Sequence, residues 1–193
     1  MATMYALFFS ILFSALCSNL GDFHRAVVPA ETPSCSVISD TSIRSEIMAA
    51  AQNELGVREV TGENDGARVE TYLRYSGLGK GHAWCAAFVS FCYGQAGLSE
   101  PRNPWSPALF PNAKTYCRGS ACQLPEVVKA IRPADVFGLF GQREKRINHV
   151  GLVRNIQGNY VLTIEGNSNN QVESKRRHRS TLYALANWVG GTR

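Results

Sequence analysis

The segment WCAAFVSFCYGQAG, residues 84–97, predicts a buried helix with a cysteine at its start. Apolar side chains face almost every direction around this helix, so we expect the core to enclose it. The two alanines after the cysteine would allow close packing against a sheet, and Gly97 can end the helix in the left-handed conformation. Cys85 would then lie in the first turn, where unpaired backbone N–H groups stabilise an anion.

Cys85 has two interpretations. A cysteine in an apolar run is most often a small buried core residue. A thiolate, however, is the nucleophilic form of cysteine, and a helix N-terminus lowers the pKa of a thiol. Such a nucleophile also needs a neighbouring base. The segment alone favours the structural role, so the rest of the chain has to decide.

Two short strands supply candidates for the base and its partner. HVGLVRNI begins with His149, while YVLTIEGNSN places Glu165 at the end of the next strand and Asn167 two residues later. NIQGNY between them reads as a hairpin turn, so the His149 and Glu165 ends should be neighbours. Glu165 or Asn167 could receive the imidazole N–H and fix its tautomer. Together with Cys85, these residues favour a cysteine-dependent catalytic site over a structural thiol.

Helical periodicity before residue 97 and strand periodicity after residue 135 predict an α+β fold, with helices packed on an antiparallel sheet. Residues 99–125 hold five of the eight prolines and read as a long loop. Cys117 and Cys122 in this loop are separated by four residues and could form a small disulfide.

The N-terminus indicates export. Residues 1–21 carry no charged side chain, and their apolar run is shorter than a membrane span but long enough for a signal peptide. A retained N-terminal anchor, which would attach the protein to a membrane, is the alternative, and lipid attachment at Cys17 is a variant of export. Residues 22–41 read as a linker and residues 42–193 as the catalytic domain.

Charge and composition argue against nucleic-acid binding and against a metal or cofactor site. The net charge of +5 comes largely from the short run KRRHRS, residues 175–180, so it is not a nucleic-acid-binding signature. That run reads as a solvated strand edge, although it could also hold carboxylates of a ligand. The histidines are scattered and no CxxC pair occurs, so we expect no metal site and no cofactor. We expect a monomer.

The motifs WCAAFVSFCYGQAG, NHVGLV and TIEGNSN together resemble the CHAP domains, the cysteine, histidine-dependent amidohydrolases/peptidases of the papain-like fold. The resemblance extends over about residues 42–189. It includes RPADVFGLF, in which Ala134 replaces the glycine usual in this family. It implies a papain-like α+β fold and peptidoglycan as the substrate, cut at the muramoyl–L-alanine amide or within the peptide.

The resemblance also implies roles for four residues. Cys85 would be the nucleophile, and His149 the general base and then the acid. Glu165 would orient the histidine, and Asn167 would assist. The glutamine that supplies the second oxyanion donor in papain-like proteases is replaced by Gly79 here, so the sequence does not identify that donor.

Two tryptophans are candidates for substrate binding. Trp84 precedes the nucleophile and Trp105 lies in the long loop, where recognition residues commonly occur. Two other interpretations stay open at this point. The chain could be an inactive wall-binding or structural protein on the same fold, or an extracellular domain in which Cys85 forms a disulfide with Cys92 or Cys35. An active enzyme could serve remodelling of the producer's own wall or lysis of other cells.

Overall fold

The computed structural model describes residues 39–190, which fall within one compact unit, Val37–Arg193. The predicted signal or anchor segment, Cys17 and nearly all of the predicted linker lie outside the described residues. Residues 39–190 contain four α-helices, which are α1 Asp40–Asn53, α2 Ala67–Tyr75, α3 Cys85–Gln95 and α4 Pro125–Ala130. The six strands are β1 Thr115–Arg118, β2 Val136–Gly141, β3 Arg146–Gln157, β4 Tyr160–Ser168, β5 Gln171–His178 and β6 Ala184–Ala186.

All strand pairs are antiparallel and form one sheet in the order β1-β6-β2-β3-β4-β5. Helix α3 packs on β3 and β4 and is itself contacted by α1 and α2. The prediction of an α+β fold, with N-terminal helices on a central antiparallel sheet, is therefore confirmed. Within residues 39–190, no helix combines the length and apolar character needed to cross a bilayer.

Close packing between α3 and the sheet depends on small residues on both sides. Ala86 and Ala87 are fully buried. On the sheet side, a Cβ at Gly166 of β4 would lie only 2.6 Å from Phe88 Cβ, so only glycine fits there. Gly97 ends the α3 region with φ of 78°, as predicted. The sequence pattern therefore predicted both the burial of this helix and the residue that ends it.

The two faces of the sheet pack into two different hydrophobic clusters. On the helix side, Val150, Leu152 and Ile164 belong to the main hydrophobic core. On the opposite side, Phe137 and Val153 form a second, smaller cluster. Because side chains alternate along a strand, Ile164 points to the helices and Glu165 points to the second face.

The proline-rich stretch is more structured than predicted. Strand β1 lies within residues 99–125 and pairs with β6, and short 3₁₀ turns flank it at Ser106–Leu109 and Gly119–Gln123. A strand of four residues carries too little local pattern to be recognised from the sequence. Its partner strand β6 lies almost 70 residues away and gives no local signal either. Cys117 and Cys122 form the predicted disulfide.

The RPAD turn anchors α1 and β1 to β2. Ala134 has φ of 66°, in the left-handed region that favours glycine, which explains why glycine is usual at this position. The following Asp135 is fully buried and accepts hydrogen bonds from Arg44 Nη1 and from Tyr116 Oη, each at 2.8 Å. A buried carboxylate needs such partners, so Asp135 holds three elements together.

The catalytic domain was predicted to begin at residue 42, and helix α1 begins slightly earlier, at Asp40. Ser39 caps the helix, because its Oγ accepts a hydrogen bond from the backbone N–H of Ser42 at 3.2 Å.

Candidate active site

Cys85 is the first residue of α3, and its side chain is a free thiol. The residue is 5% exposed, so its sulfur lies just beneath the surface. Cys85 Sγ lies 3.4 Å from Ser106 Oγ, which belongs to the 3₁₀ turn that follows Trp105. The start of α3 and this turn therefore enclose the thiol from two sides.

His149 and Glu165 are paired, as the hairpin between β3 and β4 predicted. His149 Nε2 lies 2.8 Å from Glu165 Oε2. An ionised carboxylate only accepts hydrogen bonds, so Nε2 carries the proton and donates. The second ring nitrogen, Nδ1, is then the one available to Cys85 on the adjoining helix start.

Hydrogen bonds and charges in the site shift the pKa values of His149, Cys85 and Glu165, each in the direction that favours the charged form. Burial lowers the pKa of His149, but hydrogen bonds and charge interactions with Cys85 and Glu165 outweigh it and raise the value to about 9. Burial raises the pKa of the Cys85 thiol, yet His149, Ser106 and the Val150 backbone N–H bring it below its ordinary value. A thiolate–imidazolium pair is the form that these interactions stabilise.

Glu165 is fully buried and ionised. Burial raises its pKa, but hydrogen bonds from Arg177 and His149 and the hydroxyl of Thr163 lower it to about 2. Arg177 Nε donates to Oε1 at 2.6 Å and Arg177 Nη2 donates to Oε2 at 2.5 Å. Thr163 Oγ1 also donates to Oε1, at 2.5 Å. Both carboxylate oxygens are therefore fully used within the protein.

Asn167 lies at the end of β4, two residues after Glu165. It has φ of 54° and lies at the irregularity where the pairing of β4 with β5 shifts. Among the described residues, its side-chain amide donates to Asn64 Oδ1 at 3.1 Å, so it bonds neither His149 nor Glu165. Asn167 therefore connects the end of β4 to the loop before α2.

The two tryptophans differ in exposure. Trp84 is fully buried, its Nε1 donates to Glu59 Oε1 at 2.8 Å, and its ring packs 5.6 Å from the ring of Tyr72. The expectation that Trp84 lines a cleft does not fit this position, because its polar and apolar atoms are all used inside the core. Trp105 is 57% exposed and directly precedes Ser106, the residue whose hydroxyl contacts the thiol.

Sequence reasoning missed two residues of the site, Ser106 and Arg177. Ser106 lies in the proline-rich stretch, and nothing in its local sequence distinguishes it. Arg177 lies in KRRHRS, which reads as a solvated edge. The alternation of β5 is the signal that could have separated Arg177 from its exposed neighbours Arg176 and His178.

The family model of the CHAP domain matches residues 77–167, a segment that contains Cys85, His149, Glu165 and Asn167. The resemblance predicted from the sequence is therefore confirmed for this segment. The comparison with curated proteins gives no match. Within residues 39–190, no group of three or more His, Cys, Asp or Glu side chains is arranged to hold a metal ion.

Seven chains of solved structures match this chain, and they include the following three. The P60 domain of an antigen from M. avium paratuberculosis has 14% identity and a TM-score of 0.46, with 76% of this chain and 93% of that chain covered. A protein from Staphylococcus aureus, described as similar to a lipoprotein of the NLP/P60 family, has 14% identity and a TM-score of 0.47, with 80% and 44% covered. The peptidoglycan hydrolase RipB from Mycobacterium tuberculosis has 15% identity and a TM-score of 0.46, with 77% and 65% covered. This chain spans less than two thirds of the second and third proteins.

Proposed function

We propose that this chain, whose residues 77–167 match the CHAP domain family, is an exported peptidoglycan hydrolase that cleaves an amide bond with a cysteine nucleophile. One observation carries the proposal. A free thiol at a helix start, Cys85, lies close enough to His149 for the imidazole to lower its pKa, and the far ring nitrogen of His149 lies 2.8 Å from the buried carboxylate of Glu165. Nucleophile, base and orienting group thus occur in the order that cysteine-dependent acyl transfer requires.

In the first half-reaction, the Cys85 thiolate attacks the carbonyl carbon of the amide and forms a C–S bond. The carbonyl oxygen becomes an oxyanion, which the backbone N–H of Cys85 at the start of α3 is placed to stabilise. The tetrahedral intermediate collapses, the C–N bond breaks, and the His149 imidazolium gives its proton to the leaving amine. The products are a free amine and a thioester on Cys85.

In the second half-reaction, neutral His149 removes a proton from water, which attacks the thioester carbon. The C–S bond breaks, the acyl group leaves as a carboxylic acid, and the thiolate–imidazolium pair is restored. Glu165 stays ionised throughout, because its hydrogen bonds hold its pKa at about 2. Its role is to hold the ring of His149 and to stabilise the imidazolium.

Two further residues have proposed roles outside the chemical step. Trp105 is proposed to bind substrate, since it directly precedes the Ser106 that contacts the thiol and its exposed indole offers a flat apolar surface to an incoming glycan or peptide. Asn167 is proposed to support the site indirectly, because its hydrogen bond to Asn64 holds the chain that follows Glu165.

An inactive wall-binding protein on the same fold is the alternative. Such a protein needs no shift in thiol pKa, whereas the contacts of Cys85 lower this pKa although burial raises it. Disulfide formation by Cys85 receives no support, because Cys85 and Cys92 are both free thiols. The electrostatics of the site therefore favour an enzyme.

The test compares the full chain with Cys85→Ala and Cys92→Ala on purified peptidoglycan, with soluble fragments identified by mass. Cys92 is the matched control, because it is a free and fully buried cysteine on the same helix. We expect release by the unmodified chain and by Cys92→Ala, and none by Cys85→Ala. Equal release by Cys85→Ala would exclude the nucleophile, and no release from walls of several compositions would favour the binding alternative.

The same fragments identify the bond. An amidase leaves glycan strands without peptide and releases stem peptides that begin with a free L-alanine amine. An endopeptidase leaves the muramoyl–L-alanine bond intact and creates a new amine within the peptide. The two product sets differ in mass, so one digest separates them.

A further inference from the structure

Arg177 has an unusual position for a residue of a basic edge strand. In the run KRRHRS its neighbours Arg176 and His178 are exposed, whereas the Arg177 side chain is 21% exposed. It reaches along β5 to the carboxylate of Glu165, and its guanidinium carbon lies 5.9 Å from the ring centroid of Phe137. The alternation of the strand thus directs one of the basic side chains in this run toward the site.

The contact between Arg177 and Glu165 is two-pronged. Nε and Nη2 approach one carboxylate oxygen each, at 2.6 and 2.5 Å. A guanidinium is planar and always charged, so a paired contact of this kind fixes the plane of the carboxylate as well as its charge. The oxygen that accepts from Nη2, Oε2, is also the oxygen that faces His149 Nε2 at 2.8 Å.

We propose that Arg177 is a positioning residue: it keeps the buried Glu165 ionised and holds its Oε2 against His149, so that the other imidazole nitrogen stays directed at Cys85. A carboxylate that is 0% exposed would otherwise lose its hydration without a full counter-charge. The importance of Arg177 for catalysis rests on the proposed function. Its effect on the Cys85 thiol can be measured without any wall substrate.

Other groups that face Glu165 do not replace Arg177. From its own strand, Thr163 donates a neutral hydroxyl, and from β3 His149 is the group being positioned. From β5, Glu173 pairs with Glu165 in the sheet register and carries the same negative charge. Lys175, also on β5, lies 3.2 Å from Glu173 and is occupied there. Among the described residues, Arg177 is therefore the cation that contacts Glu165 besides the His149 imidazolium itself.

Removing Arg177 is expected to disfavour the thiolate. Without the guanidinium, Glu165 either takes up a proton or leaves an uncompensated negative charge near the site. The first outcome weakens the imidazolium of His149, and the second repels the thiolate. Both outcomes raise the pH at which Cys85 becomes reactive.

The experiment measures alkylation of Cys85 by iodoacetamide from pH 4 to pH 10 in the full chain, with the modified residue identified by peptide mass. The variants are Arg177→Met, Arg177→Lys and Arg176→Met. Arg176 is the matched control, because its guanidinium stacks on Tyr160 at 3.3 Å from the ring centroid and does not contact Glu165. Thermal unfolding of each variant shows whether it is folded.

We expect Arg177→Met to shift the acidic limb of the Cys85 reactivity profile upward by about one pH unit, which lowers the rate about tenfold on that limb. Arg177→Lys should restore the profile only in part, because it returns the charge without the two-pronged contact. Arg176→Met should leave the profile unchanged. If Arg177→Met is folded and its profile overlays that of Arg176→Met, the inference is wrong.

Wall hydrolysis by the same variants separates the two proposals. An Arg177-dependent thiol profile in a chain that releases no wall fragments supports the inference and contradicts the proposed function. Hydrolysis that Arg177→Met leaves unchanged across the pH range contradicts the inference and leaves the proposed function in place.

Discussion

Gly151 of β3 sits beneath the side chain of Glu165, and a single methyl group there should disturb the site. An alanine Cβ at this position would lie 2.7 Å from Phe137 Cε1, 2.9 Å from Glu165 Cγ and 3.0 Å from Ile164 O. All three distances are shorter than the 3.4 Å at which ordinary contact begins. The backbone oxygen cannot move away within a paired sheet, so Glu165 and Phe137 have to shift. Glu165 would then draw away from His149.

Gly151→Ala is expected to reduce activity much more than stability. Overpacking a well-packed interior costs about 1–3 kcal/mol of unfolding free energy. In a domain of about 150 residues, each kcal/mol lowers Tm by about 2–4 °C. A misplacement of about 1 Å in a catalytic constellation costs on the order of a hundredfold in rate, so activity should fall much further than stability.

Gly138→Ala is the matched control. Its Cβ would lie 2.7 Å from Phe110 Cζ and 3.0 Å from Ile147 Cγ2, a clash of similar size that does not involve Glu165. The assay measures thermal unfolding by circular dichroism and kcat/KM for peptidoglycan fragments. We expect similar losses of Tm, with a large loss of kcat/KM only in Gly151→Ala. Equal kcat/KM in the two variants would refute the idea that Gly151 makes room for a catalytic Glu165.

Three further outcomes are expected. The profile of kcat/KM against pH should be bell-shaped: its acidic limb reflects protonation of the Cys85 thiolate below the ordinary thiol range, and its basic limb lies near pH 9, where His149 loses its proton. An optimum that requires pH above 9 would contradict the ion pair. Ser106→Ala should raise the pKa of the Cys85 thiol, because it removes a hydroxyl that lies 3.4 Å from Sγ. Alkylation of Cys85 should then slow about tenfold on the acidic limb. Unchanged alkylation would show that the hydroxyl does not act on the thiol. Asp135→Asn should lower the free energy of unfolding by about 3–5 kcal/mol, because it leaves the buried Arg44 without its counter-charge. Urea titration measures this loss. A loss below about 1 kcal/mol would mean that Arg44 is solvated.

The pKa of Glu165 also predicts a dependence of stability on pH. Its value in the folded chain, about 2, lies below the ordinary value of 4.5, so its contribution is complete above about pH 4.5. The contribution is lost as the pH falls toward 2, where the folded form also takes up the proton. His149 acts in the opposite direction, and its contribution declines as the pH rises from about 6.5 through 9.

Local patterns predicted the elements that present the proposed catalytic residues. The apolar run of α3 and its terminal glycine gave the helix, because both signals lie within a few turns of chain. The two residues between β3 and β4, Gly158 and Asn159, make the strands adjacent, and this adjacency brings Glu165 to His149. The prediction of a β3–β4 pair was therefore also a prediction of the site.

Long-range pairing was not predictable in the same way. Strand β1 depends on β6, and Arg44 reaches Asp135 across 91 positions of sequence. Trp84 was also misjudged from its sequence neighbours. Its position next to Cys85 suggested a residue that lines a cleft, but its contacts with Tyr72 and Glu59 place it in the core. A tryptophan's neighbours in space decide whether it binds ligands or packs, and those neighbours are distant in sequence.

The sequence by itself determined the chemical identity of the site: a cysteine at a helix start, and a histidine and a glutamate on paired strands. It did so because helix periodicity, strand alternation and a short hairpin are local properties. Only the tertiary structure decided the state of these groups. Burial of Glu165, the guanidinium of Arg177 and the hydroxyl of Ser106 set their charges, since the free energy of a charge depends on all the groups around it in space.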